Sequence, residues 1–342
     1  MVADVRVLTE IKPVEGGMEA DRRVMPGFER ELARINEALA QHVSSRVPLI
    51  DDIASYCVLG EGKRLRPLLF VLCSRLCGAE RDDLYRLSVI FEMIHAASLL
   101  HDDVLDNAEF RRKKPSAGRV WGNHAAVLGG DFLNAKSFGL ALESGSFLFL
   151  EILSRTTTRM AEGQMLELAH THDWLLSRDR YHEIITAKTA VLISAACACG
   201  AVIAGAGEQD VERLSRFGLN LGIAFQLIDD LLDYTSTEDV FGKPVGKDLR
   251  EGKITLPLVQ AIAEEDRSRV KAWETRFKSG RASEEDIERM IERVRNHPAL
   301  EGIRAEARTY VEKAAADLDF FPDSPTRRDL LALNRHLLTR RF

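Results

Sequence analysis

The chain has 342 residues, of which 45% are hydrophobic and 29% charged, with 23 Gly and only 10 Pro. This composition excludes collagen-like, low-complexity and disordered polymers and leaves a globular protein able to fill a sizeable core. The formal net charge of -6 excludes a basic nucleic-acid footprint over the whole surface, so no nucleic-acid partner is expected and any anion site must be local.

Residues 1–25 mix charges with Pro13 and the Gly16-Gly17 pair and lack periodicity, which reads as an N-terminal arm ahead of one domain spanning 26–342. Asp4, Arg6, Glu10 and Lys12 interrupt any apolar signal-peptide core. Five cysteines (Cys57, Cys73, Cys77, Cys197, Cys199) without a CxxC pair read as reduced thiols, so the expected compartment is the cytoplasm. From Gly27 onward, Phe28, Leu32, Ile35, Leu39 and Val43 recur at spacings of three and four, one apolar stripe of a helix. The same pattern returns at Asp82–Leu100, Tyr181–Ile203, Val211–Leu232 and Thr255–Ala263, and charge-rich helix follows from Glu264. Strand and hairpin signals are nearly absent. The expected fold is therefore all-α, a single-domain helical bundle. The uncharged stretch Thr189–Gly207 is long enough to raise the question of a membrane span. Its Ala195, Ala196, Ala198, Gly200, Ala201, Ala204 and Gly205 instead suit close helix packing, and it reads as a buried central helix with no transmembrane segment.

The chemistry-bearing segments begin at His95 with HAASLLHDDVLDNAEFRR. On a helix, Asp102 and Asp106 stand four apart on one face, where two like charges need compensation. Hard divalent cations with oxygen preference, chiefly Mg²⁺, are the natural partners. Asp229 and Asp233 repeat the spacing in FQLIDDLLDY on a second amphipathic helix, and each acid pair follows an apolar run that would turn the carboxylates into a cavity. The third element, GKRLRP, places Lys63, Arg64 and Arg66 around the start of a helix at Pro67. Cations there call for an anion between them, and diphosphate fits the charge. Metal-assisted ionisation of an allylic diphosphate inside apolar walls unites these parts.

These segments resemble the trans-isoprenyl (polyprenyl) diphosphate synthases. HDDVLD followed by RR, FQLIDDLLDY, GKRLRP and GKPVGKDLREGKITLP look like that family's two aspartate-rich motifs, basic loop and C-terminal lysine motif, in order from about Gly60 to Pro257. The resemblance implies the isoprenoid synthase fold around a central cavity. It implies that Asp102 and Asp106 hold two Mg²⁺ ions and Asp229 a third, with Asp103, Asp230 and Asp233 as supporting acids. It implies that Arg111, Lys188, Thr189, Gln226, Lys243 and Lys253 hold the allylic diphosphate, and that Lys63, Arg66, His95 and Arg112 hold isopentenyl diphosphate. Lys113 and Glu61 stand where the family has glycine. In the family a bulky residue one turn before the first Asp blocks the growing chain; here Ala97 and Ser98 are small, so a long-chain all-trans product, such as a quinone side chain, is expected. A homodimer is implied by the family alone. The alternatives are a short-chain (farnesyl or geranylgeranyl) synthase, a terpene synthase, which has no use for a second diphosphate site, and a noncatalytic partner subunit. A helical phosphohydrolase with histidine metal ligands leaves the second acid pair unexplained.

Overall fold

The structure, a computed structural model, describes residues 27–60, 62–112, 114–236, 245–336 and 338. The proposed arm at 1–25, Lys243, and the two departures at Glu61 and Lys113 lie outside the described residues. Helix α1 (Glu29–His42) buries the predicted stripe, from Phe28 to Val43, against the main core. It is followed by α2 (Pro48–Val58), α3 (Leu65–Leu76) and α4 (Leu84–Leu105), the last carrying the first acidic motif at its C-terminal end. Two-residue strands β1 (Phe110–Arg111) and β2 (Lys114–Pro115) pair antiparallel between α4 and α5 (Ala117–Trp121). With two residues each, they leave the all-α expectation intact.

Helices α6 (Asn123–Leu142) and α7 (Phe147–Ala169) complete the first half, and α6 packs along α4. The segment from Arg178 to Ile203 is one continuous helical run: α8 (Arg178–Ile185), a π-helical turn at Thr186–Ala190, and α9 (Val191–Ile203). It is the single described helix long and apolar enough to cross a membrane, yet most of its apolar window is buried. Its small residues let α9 pack between α3, α7 and α10 (Glu208–Thr235), the central-helix arrangement expected from the sequence. The five cysteines are thiols.

Beyond α10 come α11 (Lys247–Arg250), α12 (Leu256–Ala261), α13 (Arg267–Lys278), α14 (Glu284–Arg295), α15 (Ala299–Leu318) and α16 (Pro325–His336). The predicted solvated faces of α13 and α14 are exposed, while Val270, Met290, Ile291 and Val294 anchor these helices. A second core cluster, from Trp174 through Leu227 to Ile303, joins α8, α10, α12 and α15. Helix α4 contributes to the first cluster and α10 to both.

Candidate active site

Asp106 caps α4, its backbone N–H bonding Asp102 O at 2.8 Å, so the two carboxylates sit one turn apart. Asp102 is largely buried, and its pKa is raised by burial and by Glu167 and Asp106, against the opposing pull of Lys188 and Lys253. Lys188 Nζ lies 3.6 Å from Asp102 and 2.5 Å from Glu167 on α7. Lys253 Nζ lies 2.6 Å from Asp106 Oδ2 and 2.9 Å from Glu251. Lysines from two distant segments thus supply the counter-charge for the first motif. Burial opposes the charged form of Lys253, but Glu167, Glu251 and Asp106 more than offset it, and its pKa is raised.

Lys188 reaches this place from the π-helical turn. Gly163 on α7 makes that approach possible, because a Cβ there would stand 2.7 Å from Lys188 N and 2.8 Å from Ala187 Cβ. π-helical turns concentrate at functional sites. Arg111 is held on Asp103, with Nε 2.8 and 2.7 Å from the two carboxylate oxygens, and also feels the charges of Asp102 and Asp106.

On α10 the second motif divides its acids. Asp230 is buried, with Oδ2 2.5 Å from Tyr181 Oη and Oδ1 2.7 Å from Gln226 Nε2. Gln226 Oε1 accepts from Thr189 Oγ1 at 3.0 Å. Burial, then Asp248 nearby, pushes the Asp230 carboxyl well above its usual range. Asp233 is buried as well and caps α11, accepting from the backbone N–H groups of Lys247 and Asp248 at 3.2 and 3.1 Å. Asp229 is half-buried and lies within electrostatic reach of Arg66.

The basic elements also converge. His95 on α4 is held well below the usual imidazole value by burial and then by Arg66, Arg112, Arg111 and Arg64, which keeps it neutral at pH 7. Arg66 Nε is buried without a hydrogen-bond partner. Gly62 leaves room for these cations: a Cβ there would stand 2.7 Å from Arg64 Nη1 and 3.2 Å from Arg112 Nη1. Guanidinium groups crowded around a neutral histidine form a site for an anion. Arg64 itself faces the interior, bonding Glu92 Oε1 at 2.9 Å, Asn36 Oδ1 at 2.9 Å and Gly60 O at 2.7 Å. His101 turns to the other side of α4, with Nε2 3.1 Å from Val127 O, so the two histidines do not share a ligand set.

Among the described residues, the non-glycine residues in the left-handed region are Arg64, Asn107, Arg112 and His172, with φ of 48, 50, 49 and 61°. Arg64 lies in the basic loop, Asn107 and Arg112 follow the first acidic motif, and His172 donates its N–H to Gly252 O beside Lys253 at 2.8 Å. Strained backbone of this kind gathers at functional sites.

The described residues contain no group of three His, Cys, Asp or Glu side chains converging on one ion position. The donor set nonetheless suits hard divalent cations: carboxylate oxygens on α4 and α10, with lysine ammonium groups already meeting their demand for positive charge. Sequence reasoning missed Glu167, Glu251, Tyr181, Asp248 and Glu92. Glu167, Tyr181 and Glu92 lie in no local motif, while Asp248 and Glu251 lie within the lysine-motif segment without a spacing that marks their role; the arrangement of helices brings all five in.

A model of the Polyprenyl synthetase family matches residues 47–294. The chain is 37% identical over 304 residues to octaprenyl diphosphate synthase of Escherichia coli (strain K12), covering 89% of this chain and 94% of that one. It is 36% identical over 318 residues to all-trans-nonaprenyl-diphosphate synthase (geranyl-diphosphate specific) of Rhodobacter capsulatus, covering 93% and 97%. A solved polyprenyl synthase from Caulobacter crescentus CB15, complexed with calcium and isoprenyl diphosphate, superposes with a TM-score of 0.87 at 40% identity, over 97% of this chain and 100% of that one. Matching motifs, helical architecture and near-complete coverage together establish that the chain belongs to the polyprenyl synthetase family and is a prenyltransferase with the isoprenoid synthase fold.

Proposed function

We propose that the protein condenses isopentenyl diphosphate with an allylic diphosphate, repeatedly, to give a long-chain all-trans polyprenyl diphosphate of the kind used for quinone side chains. The observation that carries this reading is the pair of cation-rich clusters beside the acidic motifs: Lys188 and Lys253 on the first, and Arg66, Arg112 and His95 together, with Asp229 in electrostatic reach of Arg66. Lys63, on the same loop, completes the isopentenyl site, and Thr189, Gln226 and Lys243 complete the allylic one. Two or three Mg²⁺ ions held through Asp102, Asp106 and Asp229 would neutralise the diphosphate as its bond to the allylic carbon breaks. Asp103, with Arg111 locked on it, and the buried Asp230 and Asp233 fix the positions of those ligands and of α11. The electron pair leaves with the diphosphate, the isopentenyl double bond attacks the allylic carbon, and a proton is lost to restore a double bond. Apolar helix walls keep water from capturing the cation.

Ala97 is fully buried on α4 one turn before Asp102, and Ser98 bonds its own helix at His95 O, 2.9 Å away. Small side chains here support passage of a growing chain. Ala97→Phe and Ser98→Phe are each expected to stop growth after one or two additions, since a helical turn of about 5.4 Å is roughly the length of one prenyl unit. Product analysis by chromatography after incubation with labelled isopentenyl diphosphate checks this; unchanged lengths in both variants would place the tunnel elsewhere. The same assay tests the function, because a wild-type enzyme yielding mainly short products contradicts the long-chain reading. Arg66→Ala is expected to raise KM for isopentenyl diphosphate about 10–150-fold, the value of one lost charge-assisted contact, with a smaller effect on the allylic substrate. Steady-state kinetics with each substrate varied in turn reads the difference.

The enzyme is proposed to work as a cytoplasmic homodimer. Exposed Leu128, Leu142, Phe147, Leu148, Met165 and Leu168 along α6, α7 and their connection, with Phe147 82% exposed, support a second copy covering this face.

A further inference from the structure

Beneath the allylic site runs a chain of hydrogen bonds with a fixed direction. Tyr181 on α8 is 2% exposed and places its hydroxyl on Asp230 Oδ2, while Gln226 meets Oδ1 and Thr189 meets Gln226. We propose that Tyr181 is a positioning residue for the condensation: it holds the Asp230 carboxyl so that Gln226 and Thr189 present acceptor oxygen to the chamber. The inference rests on the site reading above and goes beyond it, because Tyr181 lies in none of the motifs.

The logic is one of donors and acceptors. With the Tyr181 hydroxyl engaged at Oδ2, Oδ1 stays an acceptor whether the carboxyl is ionised or carries a proton on Oδ2. Only the amide nitrogen of Gln226 can satisfy it, and this turns the amide oxygen toward Thr189. The Thr189 proton is thereby committed to Gln226 Oε1, leaving the lone pairs of Thr189 Oγ1 to line the pocket together with Lys188 and Lys253. An oriented acceptor dipole at that position stabilises positive charge developing on the substrate carbons, at no reorganisation cost during reaction. Without the tyrosine hydroxyl, the carboxyl group turns about its Cβ–Cγ bond and the amide and threonine follow.

The test uses the full-length enzyme with Mg²⁺ and both substrates, after a thermal melt has verified the fold of each variant. Tyr181→Phe is expected to lower kcat about 10–100-fold, the usual range for groups acting through a site residue, while both KM values stay within about threefold. Gln226→Leu breaks the chain one link later, so adding Tyr181→Phe to it should cost no more than about twofold further. A Tyr181→Phe kcat within twofold of wild type overturns the proposal. So does the same loss recurring in full on the Gln226→Leu background, or a rise in both KM values with kcat kept, since either marks a purely structural role. Should Tyr181→Phe not fold, Thr189→Val decides: it removes the oxygen that the chain of bonds presents at the same side-chain shape, and a kcat kept within twofold overturns the proposal. A wild-type enzyme without condensation activity would instead refute the function, which separates the two failures.

Discussion

Replacement of Asp102 by alanine is expected to lower kcat by more than about 100-fold while leaving the protein folded. Even groups that act on a metal only through its ligands cost about 10–100-fold when removed, and a direct ligand exceeds that. Asp102 suits the role because it is largely buried and sits beside Asp106 and Glu167, so an added cation favours its ionised carboxylate. The fold should survive because Lys188 keeps its 2.5 Å partner Glu167 when Asp102 is lost. Steady-state kinetics alongside a thermal melt separates lost chemistry from lost structure. Chelation of divalent cations by EDTA should abolish activity in the wild type, and full turnover in EDTA would sink the metal assignment.

Glu92→Leu should produce the largest loss of stability among single changes near the site. Arg64 and Glu92 form an ion pair with side-chain exposures of 4% and 7%, and removal of the acid strands a guanidinium in the interior. Breaking such a pair costs roughly 3–5 kcal/mol, which for a chain of this size corresponds to a fall in melting temperature of roughly 4–7 °C. The affinity for isopentenyl diphosphate should fall with it, because Arg64, in the left-handed conformation at the start of α3, fixes the loop that presents Lys63 and Arg66. Calorimetry of Glu92→Leu and Arg64→Leu measures the pair. A shift below about 2 °C in both would show that the remaining bonds from Arg64 to Asn36 and Gly60 hold the loop alone.

The helices were legible because their apolar residues recur with the helical period, as Phe28 to Val43 show, and Asp102 and Asp106 because spacing by four is local. The partners of those acids were not legible. Glu167 is 21 residues from Lys188, and Lys253 is 147 residues from Asp106, so nothing in the nearby sequence marks the contact. The division of labour within the second motif needed coordinates: Asp233 accepts from the backbone N–H groups of Lys247 and Asp248, 14 and 15 residues further along the chain. The π-helical turn was equally hidden, since the helix that follows it is buried nearly all round and offers no apolar phase in which an inserted residue would show.

The apolar run of α9 also has a consequence for synthesis. Its walls are α3 and α7, made earlier, and α10, made later. At about 5–20 residues per second, the ribosome needs roughly 2–6 s after Ile203 to finish Thr235. During that interval the nascent chain shows the cell a segment with the length and hydropathy of a membrane anchor and one side uncovered. Folding in vivo is therefore a race between docking of α10 and capture by targeting or holdase factors. Slowing translation between codons 204 and 235 should lower soluble yield without altering a single contact of the finished enzyme.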